Sequence, residues 1–170
     1  MKQGDAHLIF NGPARELKFF MYGDAAPRHT FVAHDVGVND GHLAAGEDVY
    51  GHHCKCPPGV MYVLGKPQQQ AVRQADGTVK AVADDAQAYG FWFTPVNDDP
   101  NGDMKLHGRD GIGIHGGGSG LADSFADNQG WVPTYGCIRL QNIDNAALVN
   151  SVQFVQKNGG AVFLDVVWHP

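Results

Sequence analysis

A chain of 170 residues, 43% apolar and 18% charged, carries enough hydrophobic material for one core and is short for two domains of the usual ~100–150 residues. Its formal net charge of -6 gives no basic footprint for neutralising phosphates, which excludes nucleic acid as the expected partner. With 23 glycines and nine prolines, it reads as a turn-rich globular chain rather than a fibrous or disordered one.

In chain order, the start Met1-Lys2-Gln3-Gly4-Asp5 leads into no apolar stretch of the ~7–15 residues a secretory signal needs. Export, for a chain working outside the cytoplasm, would fall to another device. Leu8 and Phe10, then Leu17 and Phe19, alternate on either side of Asn11-Gly12-Pro13, which predicts two strands and a turn within 7–22. A third strand is expected over Thr30 to Val36.

The run His52-His53-Cys54-Lys55-Cys56 invites zinc, since imidazole and thiolate both suit it. Structural zinc sites pair such a cluster with a second distant one, which this chain lacks, so the run reads as a polar loop and no metal is assigned. With three cysteines and an awkwardly close Cys54–Cys56 spacing, at least one thiol stays free.

Pro57-Pro58 cannot donate to a ladder and marks the start of a strand over 59–65. Residues 66–88 read as a surface hairpin, 90–96 as a strand, and Asn97 to Asp103 as a hairpin connection. A further strand is expected over Leu106 to His115, with Ile112 and Ile114 separated by glycine, followed by a Gly- and Asp-rich loop from 116 to about 133. The clearest helix covers 144–157: Leu148, Val152 and Val155 lie at i, i+4 and i+7, Asn142 or Asp144 can cap it, and Asn158-Gly159-Gly160 ends it. A strand over 161–168 closes the chain. No apolar run approaches the ~20 residues of a membrane helix, so no membrane span is expected and the chain should be soluble.

The chemistry is carried by two segments. Cys137 lies in Thr134-Tyr135-Gly136-Cys137-Ile138-Arg139-Leu140, where Gly136 removes side-chain bulk just before the thiol and lets backbone amides face a developing oxyanion. A thiol attacks as thiolate, and with an ordinary pKa of about 8.5 it needs a neighbouring imidazole. His115 ends the glycine-flanked strand Gly111-Ile112-Gly113-Ile114-His115-Gly116.

Together these segments resemble the L,D-transpeptidase (YkuD-like) catalytic domain, with its Ile-His-Gly strand end and, after a loop, Ser/Thr-His-Gly-Cys, an apolar residue and Arg or Asn. Pro57 to Tyr62 is similar to the family's Thr-Pro-x-Gly-x-Tyr/Phe strand. Tyr135 stands where the family usually has histidine, and the 18 residues between His115 and Thr134 lengthen the intervening loop.

The resemblance implies a mainly β fold, an L,D-transpeptidase-like β-sandwich or barrel with one principal helix near 144–157, in a single domain over 1–170. It implies that Cys137 attacks a peptidoglycan stem-peptide bond without any cofactor, in the bacterial cell wall or periplasm. His115 would act as base, oriented by the carbonyl of Gly116, and the amides of Tyr135, Gly136 and Cys137 would hold the oxyanion. Arg139 would bind a substrate carboxylate or brace the loop, while Thr134 and Trp131 would line the site.

The same thioester serves transfer to an amine or hydrolysis, the latter in an L,D-carboxypeptidase or endopeptidase acting as a secreted effector or phage enzyme. From another class, Tyr135 leaves open a catalytically silent wall-binding domain. A metal-dependent hydrolase built on 52–56 lacks assignable further ligands.

Overall fold

The computed structural model describes residues 1–35, 56–98, 105–106 and 109–168. The chain begins with a hairpin, β1 (Ala6–Asn11) and β2 (Glu16–Met21), in which Ala6, Leu8, Phe10, Leu17 and Phe19 turn inward at every second residue. Asn11 stabilises the turn by accepting the amide of Ala14 at 3.0 Å on its side-chain oxygen, as the Asn-Gly-Pro signal predicts. Strand β3 (His29–Val32) pairs with β2, and β4 (Gly59–Leu64) begins just after the two prolines.

The polar stretch 66–88 is more structured than a single surface hairpin. Two residues, β5 (Gln68–Gln69), join the main sheet beside β8 (Trp92–Asn97). The expected hairpin is β6 (Ala71–Arg73) with β7 (Val79–Ala81), turned at Asp76-Gly77. A short helix α1 (Ala86–Tyr89), which no periodicity announces in four residues, then leads to Gly90.

The single strand expected over 106–115 is broken. Strands β9 (Lys105–Leu106) and β10 (Arg109–Asp110) pair only with each other, and β11 (Gly113–His115) starts anew after Gly111 at φ +75°. The left-handed backbone at Gly111 ends one extended run and re-aims the next, which separates β10 from β11.

Helix α2 covers Asn142–Lys157, two residues earlier than its periodicity indicates, between β12 (Ile138–Arg139) and β13 (Val162–Val167). Neither Asn142 nor Asp144 caps it. The cap position is Gln141, whose side chain makes no cap bond, and the amide of Asn142 donates instead to the side-chain oxygen of Gln129 at 2.7 Å. Leu148, Val152 and Val155 are fully buried as expected, each contributing ~1.5–3 kcal/mol of apolar transfer if otherwise exposed.

The main sheet runs β12-β11-β8-β4-β13-β1-β2-β3, with β13 parallel to β1 and β12 parallel to β11. Beyond β3, His34 forms an antiparallel bridge with Arg139 of β12, bonded in both directions at 2.6 and 2.9 Å. The two ends of the sheet therefore meet, and the curled sheet wraps a core of β1, β2, β4, β13 and α2 side chains around Phe10, Leu164 and Leu148. No helix of the described residues is long and apolar enough to cross a membrane.

Candidate active site

Two very short strands set the candidate pair on one face. In the parallel ladder Ile114 lies opposite Ile138 and His115 opposite Arg139. Because side chains alternate along a strand, the fully buried isoleucines face the core while His115, Arg139 and the preceding Cys137 share the other face. The register thus does in space what 21 intervening residues conceal in sequence.

His115 is 2% exposed, and its Nδ1 lies 2.6 Å from the carbonyl oxygen of Gly116. A carbonyl only accepts, so this bond fixes the proton on Nδ1 and presents Nε2 as the basic nitrogen. The ring of Tyr89 meets the imidazole edge-on at 4.9 Å, and Phe93 lies tilted at 6.2 Å, forming an aromatic wall.

Burial first, and the charge of Arg139 second, push the imidazole down to about 3, against the opposing bond to Gly116. An unfolded histidine, near 6.5, binds a proton that the folded one refuses. Above about pH 6.5 this group therefore costs no stability; as pH falls toward about 3 stability declines, and below that the penalty is complete. Thermal unfolding of the wild type should lose stability more steeply than that of His115→Gln on acidification through this window. Parallel acid limbs would show that the folded ring titrates normally.

Arg139, 4% exposed, donates from Nη1 to the carbonyl of Gly117 and, at 3.4 Å, to that of Gly116. The guanidinium therefore grips the turn that orients His115. Burial lowers it to about 10, opposed by Cys137, so it keeps its charge at neutral pH.

Cys137 is 5% exposed, and its Sγ donates to the carbonyl of Gly111 at 3.3 Å. The hydroxyl of Thr134 shapes the loop before it, donating to the carbonyl of Cys137 at 2.8 Å and accepting the amide of Gly136 at 3.2 Å. Gly136 takes φ +101°, a conformation that a side chain would strain. Tyr135, at the loop tip, is 60% exposed and stands outside the buried set. Trp131 stacks flat on His34, 3.9 Å between ring centres, and so flanks the strand bridge to Arg139.

Three supporting residues escaped sequence reading. Asn142 accepts the amide of Gly117 at 3.0 Å and donates to the carbonyls of Ser124 and Ala126 at 2.9 and 2.7 Å. Gln129 donates to the carbonyl of Leu140 at 2.7 Å, besides holding the first amide of α2. These two amides stitch the 116–130 loop to the helix start. Tyr89 is the third. The only sequence signal for Asn142 and Gln129 is nearness to the second motif segment, and Tyr89 carries none.

Of the other chemistry-bearing residues, His52, His53, Cys54 and His107 lie outside the described residues. Cys56 and Cys137 are not joined to each other by a disulfide. Cys56 is wholly buried in the core cluster, and its carbonyl accepts the indole N–H of Trp168 at 2.9 Å.

A family model described as the L,D-transpeptidase catalytic domain matches residues 15–164. No curated protein matches the chain. Among solved structures, the chain is similar to the Ldtfm–avibactam carbamoyl enzyme, at 12% identity and TM-score 0.46 over 96% of this chain and 49% of that one. It is also similar to L,D-transpeptidase 1 of Mycobacterium tuberculosis, at 14% identity and TM-score 0.41 over 95% of this chain and 60% of that one. The chain thus spans about half to three fifths of the length of these two structures.

Proposed function

The chain belongs to the L,D-transpeptidase catalytic-domain family, and from that premise we propose that it transfers the acyl group of a peptidoglycan stem peptide through a thioester on Cys137. The observation that carries this reading is the β11–β12 register. It sets the thiol and the imidazole on one face, with Nδ1 of His115 tied to Gly116 and Nε2 left to handle the proton.

In this reading the sulfur attacks the carbonyl carbon of a stem-peptide bond and a sulfur–carbon bond forms. The thiol proton passes to Nε2 of His115, and the carbonyl oxygen takes up negative charge beside the amides of the Tyr135–Cys137 turn. Collapse breaks the carbon–nitrogen bond, and Nε2 returns the proton to the leaving amine. An acceptor amine then attacks the thioester carbonyl, Nε2 of His115 takes the amine's proton, and the sulfur–carbon bond breaks as that proton returns to the sulfur.

Arg139 braces the Gly116–Gly117 turn in this scheme, a role supported by its two carbonyl contacts and deep burial. Thr134 keeps the loop shaped, and Trp131 forms a wall toward substrate. The whole chain acts as one catalytic domain in the cell wall or periplasm.

Incubation with purified peptidoglycan, followed by mass analysis of the fragments, tests the proposal against a Cys137→Ala blank. New cross-linked dimers absent from the blank are expected. Shortened stems without dimers would replace transfer by hydrolysis, and identical fragments from both proteins would favour a silent wall-binding domain.

A further inference from the structure

The loop that follows His115 is gripped at three consecutive carbonyls by two side chains from distant parts of the chain. The carbonyls of Ser124 and Ala126 accept bonds from Nδ2 of Asn142 at 2.9 and 2.7 Å. The carbonyl between them, on Phe125, accepts a bond from Nη2 of Arg73 at 2.8 Å. Arg73 ends strand β6 and stands 52 residues before Phe125.

Arg73 is itself seated on aromatic rings. Its guanidinium lies over Phe91, 5.1 Å from the ring centre, and Phe91 tilts against Phe125 at 5.5 Å. Asp127 adds an ion pair at 3.5 Å, but with the two side chains 46% and 69% exposed, water screens it and it contributes little. The bond to the Phe125 carbonyl is shorter, and the cationic donor strengthens it.

From this turn a series of hydrogen bonds runs to the imidazole. Asn142, which shares the 124–126 turn with Arg73, accepts the amide of Gly117 on its Oδ1 at 3.0 Å. The adjoining carbonyl of Gly116 faces Nδ1 of His115 at 2.6 Å. One planar amide side chain therefore spans both turns, and a shift of the first is passed to the second. Nearer the imidazole, the amide of Gly118 donates to the carbonyl of Gln87 at 2.8 Å, so the stretch from β6 to α1 holds the loop at both places.

Resting on the reading of His115 as base, we propose that Arg73 is a positioning residue for that base. By fixing the Phe125 carbonyl it holds the 124–126 turn against Asn142, and Asn142 sets the Gly116–Gly117 turn that aims the imidazole. On this account Arg73 touches no reacting atom, and its loss slows the bond-making step without weakening the binding of a donor.

Arg73→Met keeps an apolar stem over Phe91 and removes every donor, whereas Arg73→Ala removes both. Single-turnover acylation at saturating reporter donor should be about tenfold slower in each, short of the ~10² that a displacement of about 1 Å can cost, with the half-saturating donor concentration unchanged. Wild-type limiting rates in both variants, or a change confined to the half-saturating concentration, would overturn the proposal. Asp127→Asn loses the ion pair and keeps the backbone, and should acylate at close to the wild-type rate. A loss there equal to that of Arg73→Met would put the effect in the ion pair and overturn the part given to the Phe125 carbonyl.

Proton resonance of protein carrying isotope-labelled histidine reads the imidazole without any turnover. The Nδ1–H signal of His115, assigned by its disappearance in His115→Gln, should move upfield or broaden in Arg73→Met as the bond to Gly116 loosens. An identical signal in wild type and Arg73→Met overturns the proposal. Failure of the wild type to form any acyl-enzyme at Cys137 would sink the reading of the site instead, and the Nδ1–H comparison would still decide whether Arg73 acts on the imidazole.

Discussion

Replacing His115 by alanine is expected to slow thioester formation at Cys137 by at least ~10²-fold, the ordinary contribution of a positioned acid–base group, and Cys137→Ala is expected to abolish it. The buried imidazole has one nitrogen engaged by Gly116 and a neighbour, Arg139, that disfavours its charged form, so in the proposed mechanism it would serve as a proton acceptor that rests neutral. Tyr135→Phe should leave the rate almost unchanged, because that ring stands 60% exposed on the loop tip, outside the buried set. The measurement is single-turnover acylation with a reporter donor across pH. A His115→Ala protein that acylates at the wild-type rate would show that the base lies elsewhere.

A comparable loss should follow from a single methyl group far from the sulfur in sequence. Gly117 sits at φ +59° with its Cα packed against the backbone of Gly90, and an added Cβ would overlap the amide nitrogen of Gly90 and lie 2.7 Å from the carbonyl carbon of Tyr89. Neither neighbour is the flexible end of a side chain, so the turn itself must move. That turn carries the Gly116 and Gly117 carbonyls on which His115 and Arg139 depend. A shift of about 1 Å at reacting groups can cost 10²-fold in rate, and Gly117→Ala should approach that loss while also lowering the melting temperature. Acylation at the wild-type rate in Gly117→Ala would mean that the turn tolerates the displacement and is not what aims the imidazole.

The parts of this protein legible in its sequence are those governed by short periods and local chemistry. Alternation at Leu8, Phe10, Leu17 and Phe19 gave the first hairpin, and the i, i+4, i+7 stripe at Leu148, Val152 and Val155 gave the helix, because burial imposes exactly those spacings. The family resemblance carried by Gly113 to Gly116 and Thr134 to Arg139 agrees with the match over residues 15–164. What escaped is long-range or irregular. Asn142 looked like a helix cap because Asn commonly plays that part, yet its side chain is drawn sideways to Gly117, Ser124 and Ala126. The break at Gly111 was hidden because a glycine fits an extended run as readily as the left-handed kink it takes.

The bridge between His34 and Arg139 bears on how a substrate can be held. The strand that follows the nucleophile has β11 on one side and the His34 segment on the other, so its backbone donors and acceptors are engaged along both flanks at Arg139. Many proteins seize an extended peptide by letting it add a strand to an open sheet edge, where main-chain bonds supply affinity irrespective of side chain. Beside Arg139 that edge is closed. On the proposed reading, a peptide reaching Cys137 would therefore be gripped beside Arg139 through loop amides and side chains rather than by strand addition.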